Sequence, residues 1–213
     1  GFSAQLGAIA KIKDNVRVGI SYETPTWYEI SEETTQFLGT VSDLEDRDVR
    51  LDPGVVNVFQ THQLKTPGKL QVGAAYIFGK KGLISFDYAV KDYSNISLEI
   101  LNNKTPFQTL NSEISNNLTT AATYKLGGEY RYNNMSFRAG TRFEESPYKD
   151  KTELDDLTGF SLGFGYNFGN YTFDIGYSFA EQSNSQVVYN GIANDIATER
   201  IENNILFTLG FNL

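Results

Sequence analysis

The 213-residue chain has no cysteine, one histidine and one methionine. Without cysteine there is no disulfide framework, no thiolate nucleophile and no cysteine-ligated metal. With His62 as the only imidazole, a histidine-rich metal site and a serine–histidine triad with a spare base are both out of reach. Basic residues are in deficit. The 18 Lys and Arg against 26 Asp and Glu leave a net charge of −8, so no cationic stripe is available for phosphates and a nucleic-acid partner is not expected. No run of about eighteen apolar residues marks a transmembrane helix, and no stretch shows a helical period. The negative mean hydropathy ordinarily reads as a water-soluble protein. That reading fails for a transmembrane barrel, where only alternate residues face lipid. No signal peptide opens the chain, which begins at Gly1 without methionine and reads as processed or as cut from something longer. Gly79-Lys80-Lys81-Gly82 is too short for a phosphate loop, and the chain is expected to need no cofactor and to catalyse no reaction.

What the chain does have is aromatic residues (14%), 19 glycines and an alternating hairpin repeated along its length. In residues 69–93, Leu70, Val72, Ala74, Tyr76 and Phe78 alternate with Gln71, Gly73 and Ala75. Across the Gly79–Gly82 turn, Ile84, Phe86, Tyr88 and Val90 alternate with Ser85, Asp87 and Ala89. A period of two is that of a β-strand. The device recurs in 2–12, 16–22, 119–132, 135–144, 160–168, 171–179 and 205–213. This gives about nine strands of roughly nine to twelve residues, joined alternately by tight turns and long polar loops. Pro25 and Trp27-Tyr28 close the second strand, and the loops are 29–68, 94–118, 145–159 and 181–203. In-strand glycines (Gly7, Gly19, Gly73, Gly127, Gly140, Gly163, Gly165, Gly176, Gly210) fall mostly on the polar face, where they leave room for large neighbours or a bend.

Such strands fit a lipocalin-like barrel or a sandwich with the apolar face inward, or an outer-membrane barrel with that face toward lipid. The strands approach the roughly nine to eleven residues that cross a bilayer at a steep tilt. Connections are short at one end and long at the other. Aromatics gather at both ends of the apolar rows: Tyr76, Phe78, Tyr130, Tyr132, Tyr166, Phe168 and Tyr171 by the short turns, Tyr22, Trp27 and Phe179 by the long loops. The sequence therefore predicts an all-β fold, an antiparallel transmembrane β-barrel in the bacterial outer membrane, as one domain over 1–213. With short turns periplasmic, the first and last strands both run from outside to periplasm. Single-chain bacterial barrels have an even strand number with both ends periplasmic, so the expectation is a C-terminal portion of a larger barrel.

Three segments carry a family resemblance. Tyr22-Glu23-Thr24-Pro25-Thr26-Trp27-Tyr28 resembles the Y-x-x-P-x-x-Y segment at the end of a strand in FadL/TodX-type outer-membrane transporters of hydrophobic compounds. Leu64-Lys65-Thr66-Pro67-Gly68-Lys69-Leu70-Gln71-Val72-Gly73 resembles the L-x-x-P-x-x-x-x-x-G start of the next strand, and 78–94 (FGKKGLISFDYAVKDYS) resembles the hairpin that follows. The resemblance runs over most of the chain. It implies a fourteen-stranded barrel of which about nine strands are present, with the N-terminal plug and the laterally opening strand in the absent part. It also implies that 29–68 is one of two extracellular loops forming a first hydrophobic groove.

On that footing Val55, Val56, Val58 and Phe59, an apolar run in a charged loop, are candidates to line a groove for an acyl chain, or else pack beneath the loop or form another short strand above the membrane. Ile96 and Leu98, with Phe107 and Leu110, carry the same two readings. Asp43, Glu45, Asp46, Asp48 and Asp52 offer oxygen ligands for calcium but lack the EF-hand glycine and terminal glutamate; a solvated loop face is the plainer reading, and no metal is expected. The lumen face is expected to carry Arg17, Glu23, Asp87, Lys125, Glu129, Arg131, Arg138, Arg142, Glu144 and Asp174. Arg138 and Arg142 are placed to meet Glu129 and Lys125 on the neighbouring strand, either as a structural charge ladder or as a seat for a substrate carboxylate. The alternating end, 207–213, is similar to an outer-membrane insertion signal, with Leu213 in place of the usual final aromatic. The expected function is passive uptake of hydrophobic compounds, such as long-chain fatty acids or hydrocarbons. The chain would sit as a monomer among outer-membrane lipid and lipopolysaccharide. Alternatives are a cargo-binding barrel in a secretion complex and a soluble lipid-binding barrel.

Overall fold

The computed structural model describes residues 1–40, 49–186 and 196–211. Nine antiparallel strands form one sheet: β1 (Gln5–Lys13), β2 (Val16–Glu23), β3 (Lys69–Ile77), β4 (Gly82–Asp92), β5 (Thr120–Tyr132), β6 (Met135–Glu144), β7 (Leu157–Asn167), β8 (Tyr171–Gln186) and β9 (Ile196–Phe211). Each pairs with its neighbours in the sequence, and β1 and β9 are the two edges. The register keeps chemistry sorted by face. Ile20, Val72, Tyr88, Tyr124 and Phe143 lie side by side on one face; Gly19, Gly73, Asp87, Lys125 and Arg142 do so on the other. A slip of one residue in any pair would exchange the two sets. Asn133, at φ 51°, and Gly79, at φ 59°, turn the chain between β5 and β6 and between β3 and β4.

Exposure decides which face points where. Along β3, Leu70, Val72, Ala74 and Tyr76 are exposed, whereas Gln71, Gly73 and Ala75 are half-buried. Among the described residues the only buried side chains are Ala89, Ala121, Ala122, Ala180 and Ser146, and no large side chain is fully buried. Phe86 and Leu162 stand 45% and 56% exposed in the middle of their strands. An inward-facing barrel or a sandwich would enclose these rows. Here they form an apolar exterior, tied across strands by ring pairs such as Tyr88–Tyr124 (5.3 Å) and Phe137–Phe164 (5.5 Å). The apolar face is the lipid face.

Three expectations need correction. Residues 181–203 are not one loop: β8 and β9 are sixteen residues each and pair from Tyr171↔Phe211 to Gln186↔Ile196. The distal arm of β8 (Glu181 to Gln186) is polar at every position, so no alternation betrays it; the main-chain ladder holds it, with Thr198 donating to Asn184 and Gln182 Nε2 to the Asp155 carbonyl at 3.0 Å. At about 3.3 Å per residue each strand runs roughly 53 Å. The outer apolar row ends at Phe179 opposite Asn203, so this hairpin continues beyond the membrane on the loop side. Second, the chain does contain a helix, Gln108–Asn117. Third, Trp27 and Tyr28 do not close β2 but start a set of short strands found among the described residues of the long loops. Trp27–Ile30, His62–Lys65 and Ser97–Glu99 make a three-stranded sheet above the wall. Two ribbons pair Glu33–Thr35 with Val56–Val58 and Leu38–Thr40 with Val49–Leu51. Trp27 does not end β2; it opens the loop sheet and bridges Phe2.

Candidate functional site

The polar face carries an ion-pair ladder that spans four strands. Arg138 on β6 lies opposite Glu129 on β5, and its Nε donates to Glu129 Oε2 at 2.6 Å. Its Nη1 reaches in the other direction to Asp174 Oδ1 on β8 at 2.5 Å, passing over β7. That reach depends on β7 having no side chains beneath it. Gly163 lies directly opposite Arg138, and Gly165 lies opposite Asp174. A Cβ on Gly165 would strike the Asp174 carboxylate. Arg131 also pairs with Glu129. Two cations and two anions thus satisfy one another. Half-exposed arginines make each link modest, but the network stiffens the wall across β5–β8.

The expected Arg138–Glu129 contact is present. Arg142 is different: it stands opposite Lys125, a like charge, and its Nε turns 3.5 Å to Glu144 on its own strand. Arg17 is on the polar face opposite Ala75, with its guanidinium donating to the carbonyls of Lys13, Asp14 and Val16. It closes the β1–β2 turn rather than facing a ligand. Between the charged rows runs a level the sequence reading missed. Ala75, Ser85, Gly127, Gly140, Ser161 and Ser178 lie side by side from β3 to β8, under a hollow of about 410 Å³ edged by Lys125, Arg142 and Glu202. The signal was in the glycines and serines. Only the register of six strands aligns them.

Above the wall, Val55, Val56, Val58 and Phe59 are all at least half exposed. Val56–Val58 is held by the Glu33–Thr35 strand, and the Phe59 N–H donates to the Glu32 carbonyl at 3.0 Å. Leu98 belongs to the separate three-stranded sheet, opposite Leu64, with Ile96 ending the turn before it. The helix docks there through one side chain: Asn111 Nδ2 donates to the Leu98 carbonyl at 2.9 Å, and Oδ1 accepts from the Leu98 N–H at 2.8 Å. The His62 ring meets Phe107 at 5.3 Å. The structure therefore puts the two sets of candidate groove residues on different supports. Asp43, Glu45, Asp46 and Asp48 lie outside the described residues, as does Leu213. Asp52 accepts from the Gly54 N–H and so serves its own turn.

The loop between β6 and β7 is latched by the only buried polar side chain described, Ser146. Its hydroxyl donates to the Leu154 carbonyl, and its N–H donates to Asp156 Oδ1 at 2.8 Å. Lys151 Nζ pairs with Asp156 Oδ2 at 2.7 Å. Burial pushes the Asp156 carboxyl up, but the Lys151 ammonium and the Ser146 N–H outweigh it and hold it below the usual carboxylate range. A depressed folded-state pKa stabilises fully above the unfolded value and loses that contribution as pH falls through the folded one. Protection of the Ser146 amide, measured against its intrinsic exchange rate at each pH, is expected to fall on acidification below the usual carboxylate range, and Asp156→Asn to flatten that dependence. Protection indifferent to pH in the unaltered protein would discard the latch.

The sheet matches solved outer-membrane channels along almost its whole length. It is similar to the CymD monoaromatic hydrocarbon channel, with 20% identity over 98% of this chain and 50% of that one, and a TM-score of 0.57. It is also similar to the Ralstonia pickettii toluene transporter TbuX (17% identity, 97% of this chain and 46% of that one, TM-score 0.51). A third match is the P. putida toluene transporter TodX (13%, 96% and 47%, TM-score 0.52). At such identities the likeness is one of fold, and the chain spans about half the length of these structures. No curated protein sequence matches it. The sequence model of the outer membrane protein transport family, OMPP1/FadL/TodX, fits residues 1–212, and with a lipid-facing wall of that fold the chain belongs to this family of outer-membrane proteins.

Proposed function

We propose that the chain forms a C-terminal part of the wall of an outer-membrane channel that passively admits hydrophobic compounds, hydrocarbons or long-chain fatty acids among them. The observation that carries this is the strip Val55, Val56, Val58 and Phe59, held at least half exposed on a paired ribbon above the wall. A soluble ribbon has no reason to display four such side chains together. The self-satisfied ladder of Arg138, Glu129, Asp174 and Arg131 favours the uncharged, hydrocarbon side of that reading, because it leaves those arginines committed to the wall rather than to a substrate carboxylate. The protein acts as a monomer, its loops among lipopolysaccharide, and the mechanism uses no cofactor.

The test is binding and uptake of a fluorescent fatty acid and of a small aromatic hydrocarbon by the full-length protein in vesicles. Burying a Val or Phe side chain contributes about 1.5–3 kcal/mol. Val56→Asp with Phe59→Asp is therefore expected to weaken binding by at least about tenfold while heat-modifiable migration on gels is retained. Unchanged affinity for both probes would remove the strip from the path.

A further inference from the structure

The lipid-facing surface has a broad break in its relief. Ile84, Gly128, Ala139, Leu162 and Tyr177 lie side by side on it from β4 to β8, and the middle of that row holds its two smallest side chains. One level toward the short turns stand three large rings, Tyr130, Phe137 and Phe164. The result is an apolar hollow of about 1040 Å³ over Gly128 and Ala139, with Lys81 at its turn-side end. Lys81 and its neighbour Lys80 are both exposed, and among the described residues neither has an ion pair. Their turn is braced against β5 by the Arg131 N–H, which donates to the Lys81 carbonyl at 2.7 Å. Glu129, the one acidic residue bordering the hollow, has its carboxylate on the opposite face, engaged by Arg131 and Arg138.

Short turns of outer-membrane barrels are periplasmic, so the hollow opens into the inner leaflet and its two free cations sit at that leaflet's headgroups. We propose that it is a specific seat for one anionic glycerophospholipid, with an acyl chain over Gly128 and Ala139 and the phosphate on Lys80 and Lys81. Charge complementarity selects this occupant. An uncharged hydrophobic substrate would gain nothing from the lysines, and a second copy of this chain would bring the same cations to the same place. The site stands whether or not the lumen passes hydrophobic molecules.

Native mass spectrometry of the full-length protein in detergent, with phosphatidylglycerol and phosphatidylcholine of identical acyl chains, tests it. A lysine at an anionic headgroup is worth about fivefold in binding, so the unaltered protein is expected to retain phosphatidylglycerol over phosphatidylcholine by about fivefold or more. Lys80→Gln with Lys81→Gln should bring the two lipids to parity. Gly128→Leu should lower retention of both by filling the hollow, since a Cβ there meets nothing closer than the Leu83 carbonyl at 3.4 Å. Equal retention of the two lipids by the unaltered protein would overturn the proposal, as would an unchanged preference in the lysine variant. Lipid held undiminished by folded Gly128→Leu, or a dimer that this variant dissolves, would do the same. If Gly128→Leu fails to fold, the lysine variant decides, because both side chains are exposed at the turn.

Discussion

Leu126→Arg is expected to cost about 2–4 kcal/mol of folding stability in a bilayer, the penalty for a cation on the lipid face at mid-depth. Leu126 lies between Phe86 and Thr141 on the outer face and is 45% exposed. Tyr124 and Tyr130 stand two and four residues away on the same face, so the position is well inside the apolar band. A guanidinium there must drag water in or bend toward an interface. The matched control is Ser85→Lys. Ser85 is one residue before Phe86 but on the other face, between Ala75 and Gly127, in the roomiest level of the lumen wall. It should change stability by no more than about 0.5 kcal/mol. Denaturant unfolding from lipid vesicles measures both, and equal costs would mean that the faces are assigned the wrong way round.

Gly82→Ala should be almost as damaging, by about 2–3 kcal/mol, for an unrelated reason. Gly82 opens β4 at φ 155°, where its carbonyl accepts from the Phe78 N–H and closes the turn. A Cβ would collide with the Glu129 carbonyl oxygen and come within 3.1 Å of Tyr130 Cα. Both obstacles are backbone of the paired strand and cannot swing aside. Gly176→Ala is the comparison. Its Cβ would meet only the Leu162 carbonyl, at 4.0 Å, so that substitution should be nearly silent. The same unfolding titration reads both; a harmless Gly82→Ala would show that the β3–β4 turn is not held in this shape.

The wall was legible in the sequence wherever its two faces differ in polarity. β6 is found at 135–144 as alternation predicts, since Phe137, Ala139 and Phe143 contrast with Arg138, Gly140 and Arg142 at every step. Legibility stops where that contrast stops. Gln182, Ser183, Asn184 and Ser185 have no apolar partner in the pattern, so the upper arm of β8 was invisible although its ladder is continuous. The helix hid for a similar reason: Leu110 and Ile114 are its only large apolar residues, too few to set a 3.6-residue period. Of the lumen contacts, Arg138–Glu129 was readable because it joins adjacent strands across a tight turn. Arg138–Asp174 was not, because it requires the registers of β6, β7 and β8 together with glycines at 163 and 165. The opposition of Arg142 to Lys125 was correctly placed, but like charges do not pair, and the arginine found Glu144 instead.

A wall whose buried side chains, among the described residues, are four alanines and a serine has handed over the task that a core performs elsewhere. Its apolar rows leave water only by entering hydrocarbon, so the bilayer acts as a ligand bound by the folded form alone. Thickness then becomes a thermodynamic variable of the protein. Membranes matched to the band between the two aromatic belts will tighten it, and thinner or thicker ones will loosen it by fractions of a kcal/mol per Å. Change the lipid, and the same sequence has a different melting point.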